Sequence, residues 1–151
     1  MGRSFPCAVG RGGIGDKRGE GDGITPVGIH RIEEIWVRSD RLSYRFPLPT
    51  RPIGIRHGWS DDPADPAYNR LVLRPHAHSH EAMRRADPMY DLVAVLDWNR
   101  APVVPGRGSA IFLHVWRGPR RPTAGCVAFR RADLAWILAN WQAQSRVVIR
   151  H

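Results

Sequence analysis

Lysine is nearly absent from this chain of 151 residues: Lys17 stands alone, and every other base of the 23 is arginine. Such a bias fits a GC-rich genome, and it leaves the positive charge intact. Cysteine is scarce too. Cys7 and Cys126 are too few for a disulfide framework, so they form at most one bridge, or one buried and one reactive thiol. No apolar run reaches the length of a membrane span. The opening Met1-Gly2-Arg3-Ser4-Phe5-Pro6 has no apolar h-region, so no secretory signal is read there; the chain reads as if it opens inside a strand, pointing to a late start or a removed leader. Internal repeats and linkers are also missing, so residues 1–151 are expected to form a single domain.

What is present suits a globular protein. Hydrophobic residues make up 42%, enough to exclude a disordered chain, while Gly (15) and Pro (13) imply many turns and few long helices. A mainly β fold is therefore expected. The formal charge of +9 suits an anionic partner: nucleic acid, an anionic membrane surface or an acidic polymer.

Short strands are expected at residues 5–9, within 27–37, and at 71–73, 92–96, 110–116, 126–129 and 147–149. The run 92–96 is continuously apolar, as in a buried central strand. Residues 131–141 form the clearest helix, with Leu134, Ile137, Leu138 and Trp141 on one face. A brief helix over 80–86 would be capped by Ser79 and ended by Asp87-Pro88. Residues 38–69 and 99–109 read as loops, and the first is long enough to suggest a functional one. Gly10-x-Gly12-x-x-Gly15 has dinucleotide-binding spacing, but the residues after it start a helix poorly, and a flexible hairpin over 10–23 is the better reading.

In the strand 110–116, Phe112, His114 and Trp116 share one face. A histidine inside an apolar strand is, on spacing alone, more simply a core residue with one satisfied hydrogen bond. Yet Cys126 follows across a turn-rich loop containing Arg117, Arg120 and Arg121, and a strand, a turn and a second strand can bring the two within reach. An imidazole beside a thiol favours the thiolate, and the surrounding arginines, including Arg130, would favour it further. Gly125 lets backbone approach a substrate closely, and amides around Gly125 and Cys126 are placed for an oxyanion hole. Cys7, in a strand with Phe5 and Val9, fits a small buried hydrophobe better.

Ser109-Ala110-Ile111-Phe112-Leu113-His114 followed by Pro122-Thr123-Ala124-Gly125-Cys126-Val127-Ala128 resembles the catalytic signature of the L,D-transpeptidase (YkuD-like) family. Further segments resemble a short branch of it. They are Cys7-Ala8-Val9-Gly10-Arg11-Gly12-Gly13-Ile14 with Lys17 and residues 21–28, Gly58-Trp59-Ser60-Asp61-Asp62-Pro63 with Tyr68-Asn69, and Tyr90-Asp91-Leu92-Val93 with Leu96-Asp97. The resemblance spans about residues 5–150. It implies a curved β sheet or sandwich with one or two short helices against it, and needs no metal or organic cofactor. It also implies that Cys126 attacks a peptide carbonyl of a peptidoglycan stem, with His114 taking and returning the proton. The thioester would pass to an amine, giving a cross-link, or to water, giving carboxypeptidase activity. Gly125 and Thr123 would shape the backbone at the nucleophile. Ala124 stands where much of the family has histidine, and Ala128 where it has a polar residue; these departures mark the short branch, which implies 1,3-type links. The family works in the periplasm or cell envelope, and a monomer is expected.

The segment 59–69 has two readings. Trp59, Asp61, Asp62, Tyr68 and Asn69 could wall a substrate site, with Arg117 opposite, or the Asp-Pro pairs could simply start turns. His76, His78 and His80 alternate and could crowd a zinc ion, but the set lacks a completing triad and no metal site is expected. A competing function is a basic module that binds nucleic acid through charge and stacking of Trp36, Tyr44 and Trp59. The chain lacks a glycine–aromatic RNA-binding motif, a zinc-finger spacing and a helix-turn-helix pair, so peptidoglycan remains the expected partner.

Overall fold

The computed structural model describes residues 2–151. In chain order its elements are β1 (Cys7–Ala8), β2 (Ile14–Gly15), β3 (Thr25–Pro26), β4 (Gly28–His30), β5 (Ile32–Val37), β6 (Thr50–Pro52), β7 (His57–Ser60), β8 (Leu71–Leu73), β9 (His80–Ala82), β10 (Leu92–Leu96), β11 (Phe112–Val115), β12 (Val127–Phe129), α1 (Arg131–Ala139) and β13 (Val147–Ile149). The protein is mainly β with one helix, as its turn-rich composition implies.

Every residue of β10 is apolar because β10 is covered on both faces within a six-stranded sheet of order β1-β12-β11-β10-β5-β6. Leu92, Ala94 and Leu96 pack with Ile35, Leu113, Val127 and the α1 side chains Leu134 and Leu138. Val93 and Val95 alternate to the other face, where Trp36, Phe112, Met83 and Tyr90 gather. That face is closed by a second sheet, β8-β7-β9, whose Trp59 meets the Phe112 ring edge-on at 5.1 Å. A helix on one side and a small sheet on the other thus bury the central strands.

β11 and β12 run parallel, with Leu113 opposite Val127 and His114 opposite Ala128. Parallel neighbours need a connection that returns the full length of the strand, which is what residues 116–126 do. The return leaves Cys126 at the start of β12, beside the start of β11.

Several elements differ from the sequence reading. Residues 80–86 do not form a helix: β9 pairs antiparallel with β7, Trp59 facing Glu81. The unpaired edge of β7 outweighs a weak local helix signal. Residues 38–69 are not all loop, since β6 adds to β5 and β7 carries Trp59. The stretch 10–23 is no flexible hairpin; β2 pairs in parallel with β3, and Asp22 clamps the backbone amides of Arg18, Gly19 and Ile24. The helix ends at Ala139, two residues early, with Asp133 in its first turn paired to Arg130. The strand expected at 27–37 breaks at Arg31 into β4 and β5. Cys7 is exposed, not a core residue, because β1 is an edge strand.

Leu134 is fully buried where α1 meets the sheet. Leu134→Ala is expected to destabilise the fold by about 2–5 kcal/mol, read as a lower urea midpoint with unchanged m-value.

Candidate active site

Alternation along β11 and β12 decides which side chains meet. Leu113, Val115 and Val127 turn into the core beneath α1, so Phe112, His114, Cys126 and Ala128 turn to the opposite face. Cys126 therefore lies diagonally from His114 on one surface, two positions before Ala128, the residue paired with His114. Both line a cavity of about 370 Å³.

The thiol is held by backbone. Cys126 Sγ donates to the Ala110 carbonyl at 3.0 Å and accepts from the Phe112 amide at 3.4 Å. Ala110 has a left-handed backbone (φ 54°), and its amide is tied to Asn69 Oδ1 at 3.0 Å. His114 Nδ1 lies 2.8 Å from the Val115 carbonyl. A carbonyl only accepts, so Nδ1 carries the proton and Nε2 is the basic nitrogen. The Tyr90 ring edge packs on the imidazole at 5.5 Å, and the Tyr90 hydroxyl donates to Glu81 at 2.5 Å. No hydrogen bond joins Cys126 to His114 among the described residues.

Burial dominates the electrostatics. It pushes the Cys126 thiol up to about 12, with the Glu81 charge adding and the Lys17 charge opposing. Burial likewise lowers the His114 imidazole to about 4. Glu81 is raised by the same cause. The resting pair is thus neutral thiol and neutral imidazole. The sequence reading expected neighbouring arginines to favour a thiolate at rest. Arg117 and Arg121 do line the cavity, but Arg130 is spent on Asp133 and Arg120 lies exposed in the turn.

The turn before Cys126 is built by Thr123. Its hydroxyl donates to the Cys126 carbonyl at 2.6 Å and accepts from the Gly125 amide at 3.1 Å. The Gly125 amide, one of the two expected to face an oxyanion, is thus bonded within the turn. Gly125 has φ 139°, a conformation that favours glycine. The glycine-rich stretch packs directly on this turn: a Cβ on Gly10 would stand 1.9 Å from the Gly23 carbonyl, and Arg11 N donates to Thr123 O at 2.9 Å. The spacing that resembled a nucleotide motif serves close backbone contact.

The segment 59–69 is not a substrate wall at its aromatic residues. Trp59 and Tyr68 are each only 1% exposed, and Asn69 is equally buried. Asn69 accepts from Trp59 Nε1 and donates to the Trp98 and Asn99 carbonyls. The Tyr68 hydroxyl donates to Glu20 and accepts from the Gly108 amide. Asp62 accepts from Ala64 N and contacts His78, which is turn chemistry. Asp61 is half-buried and lies outside the cavity lining. His76, His78 and His80 cluster, with rings 5.6–5.8 Å apart, but they bond to Asp65, Asp62 and a carbonyl, and no metal-ligating group of three forms among the described residues. The sequence reading named none of Arg11, Lys17, Glu20, Glu81, Arg85 and Tyr90 as site residues, and all are in the cavity wall. Arg11, Lys17 and Tyr90 had a signal, since they stand in the segments that resemble the family; Glu20, Glu81 and Arg85 lie outside them.

The buried neutral histidine has a pH consequence. The unfolded imidazole binds its proton near 6.5, the folded one only near 4. Between these values the unfolded chain holds more protons, so stability is whole above pH 6.5 and falls as pH drops toward 4. Wild type is expected to lose about 3 kcal/mol more than His114→Gln between pH 7 and pH 4 in urea titrations. In the resting protein, iodoacetamide at pH 8 should label Cys7 and spare Cys126, as peptide mapping would show.

No curated protein and no solved structure matches the chain. A family model does: the L,D-transpeptidase catalytic domain, YkuD, matches residues 2–149. With nearly the whole length covered, and with a mainly β fold, the chain belongs to the L,D-transpeptidase catalytic domain family.

Proposed function

We propose that the protein is a cysteine acyltransferase acting on peptidoglycan stem peptides in the cell envelope, with Cys126 as nucleophile and His114 as general base and acid, and that its described length works as one catalytic domain. The observation that carries this reading is a cavity holding one thiol and one imidazole whose basic Nε2 is left uncommitted, in a chain of this family.

Because both groups rest neutral, the reaction starts with proton transfer rather than from a standing ion pair. The thiol leaves the Ala110 carbonyl and swings toward His114 Nε2. As sulfur bonds to the stem carbonyl carbon, the thiol proton passes to Nε2 and the carbonyl electron pair moves to oxygen. Collapse breaks the C–N bond, and the departing amine takes the proton from His114. A thioester remains on Cys126. The amine of a second stem attacks it, His114 accepts the amine proton, and sulfur leaves as the thiol once reprotonated. Water in place of that amine trims the stem instead. The Nδ1–Val115 bond keeps the ring in the tautomer these steps need. The alanines at 124 and 128 support the short-branch donor, a stem cut at its L-alanine carbonyl.

Incubation with muropeptides, followed by mass spectrometry, tests this. An acyl adduct on Cys126 and new dimers are expected, their masses distinguishing the donor carbonyl and separating cross-linking from trimming. Cys126→Ala should abolish both, and His114→Gln should slow acylation on the order of 10²–10⁴-fold. Equal, unchanged muropeptides with wild type and Cys126→Ala would overturn the reading.

A further inference from the structure

The one lysine in a chain whose other bases are all arginine is buried in the wall of this cavity, 8% exposed. Its placement is tight. The stem runs beneath Gly108, where a Cβ would stand 2.3 Å from Lys17 Cε, and Gly108 has φ 118°. The ammonium reaches Asp22 Oδ1 at 2.6 Å and the Ile24 carbonyl at 3.3 Å. It ends beside the residue that precedes the nucleophile: a Cβ on Gly125 would lie 3.5 Å from Nζ. The channel fits an unbranched stem and a compact head, which a planar guanidinium would overfill.

Asp22 pairs with this ammonium from outside the cavity lining, and its carboxylate is fixed there by the amides of Arg18, Gly19 and Ile24, so the positive end of the pair is the one at the cavity wall. An ammonium has three N–H donors, and two are used here. We propose that Lys17 supplies the positive charge against which sulfur and then the carbonyl oxygen become negative during acyl transfer at Cys126. The inference rests on Cys126 being the nucleophile. It also fits the geometry of the turn, in which the Gly125 amide is occupied by Thr123, so that a charge beside the turn would add to what the remaining amides supply. Through-space attraction of this kind is stronger at a buried thiol than in bulk water.

The test uses Lys17→Met and Lys17→Gln in the full chain. Asp22 keeps its three backbone amides in both, and glutamine can still donate to it, so thermal unfolding should stay close to wild type. In muropeptide turnover kcat should fall by about 10- to 100-fold, with KM changed less than about threefold. In a Cys7→Ser background, iodoacetamide labelling of Cys126, read at a strongly alkaline pH where the wild-type thiol does react, should slow by about tenfold for each unit the thiol rises. Lys17→Arg should not restore the rate. Unchanged kcat and labelling, or a loss confined to KM, overturns the role of Lys17. Cys126→Ala assayed in parallel separates the failures: if that variant stays active, the nucleophile is wrong; if it is dead while Lys17→Met is unimpaired, only the lysine proposal falls.

Discussion

The parallel register of β11 and β12 is the constraint on which the rest depends. With Leu113 opposite Val127, the apolar set of both strands points under α1, and the alternate set is obliged to carry His114 and Cys126 together onto the other face. A slip of one residue in either strand would send one of the two into the helix-side core and expose apolar groups in its place. Core packing and site assembly are therefore one specification. The energy that fixes the register comes from burial of Leu92, Leu96, Leu113, Leu134 and their neighbours, far larger than any bond made at the cavity itself.

The same burial sets the chemistry. A thiol and an imidazole placed on a covered sheet face lose water, and both neutral forms are favoured. Trp59, Phe112, Tyr90 and the His114 ring pack edge to face on this side of the sheet. On the proposed reading, Cys126 rests as an unreactive thiol, and any charge formed during reaction would be met by groups already in place. Glu81 opposes that charge and Lys17 favours it, so the balance between these two side chains matters more than the surface arginines.

Much of this was legible in the sequence, and the limits have physical reasons. β8, β10 and β13 are visible because each is a short apolar run bounded by turns or polar residues. His114 stands out as the one titratable group in an apolar strand, and Cys126 because it follows a glycine after a turn-rich return. The family resemblance extends both, and the family match covers the same span. By contrast, β9 and β6 are made by long-range pairing with β7 and β5, which local propensity does not encode. Trp59, Tyr68 and Asn69 look like surface loop residues in the sequence, yet they form a buried brace, because their partners Glu20, Trp98 and Gly108 lie tens of residues away.

The net charge of +9 also takes on a different meaning once placed. Arg38 and Arg85 pair with carboxylates two residues on, while Arg41, Arg84 and Arg100 pair with Asp91, Asp40 and Glu33 across the fold. Arg11, Arg117 and Arg121 line the cavity and form no ion pair among the described residues. Glu20 and Glu81 sit in the same wall, each tied to a tyrosine hydroxyl. The cavity thus presents unpaired cations to a ligand while its own carboxylates are restrained. A stem peptide carries carboxylates along its length, and such a wall attracts it by the same long-range field that made nucleic acid an alternative partner. Specificity cannot come from that field, which any polyanion would feel. On the proposed reading it comes from how a peptide carbonyl meets Cys126 in a cavity whose wall also holds Lys17, Glu81 and Tyr90.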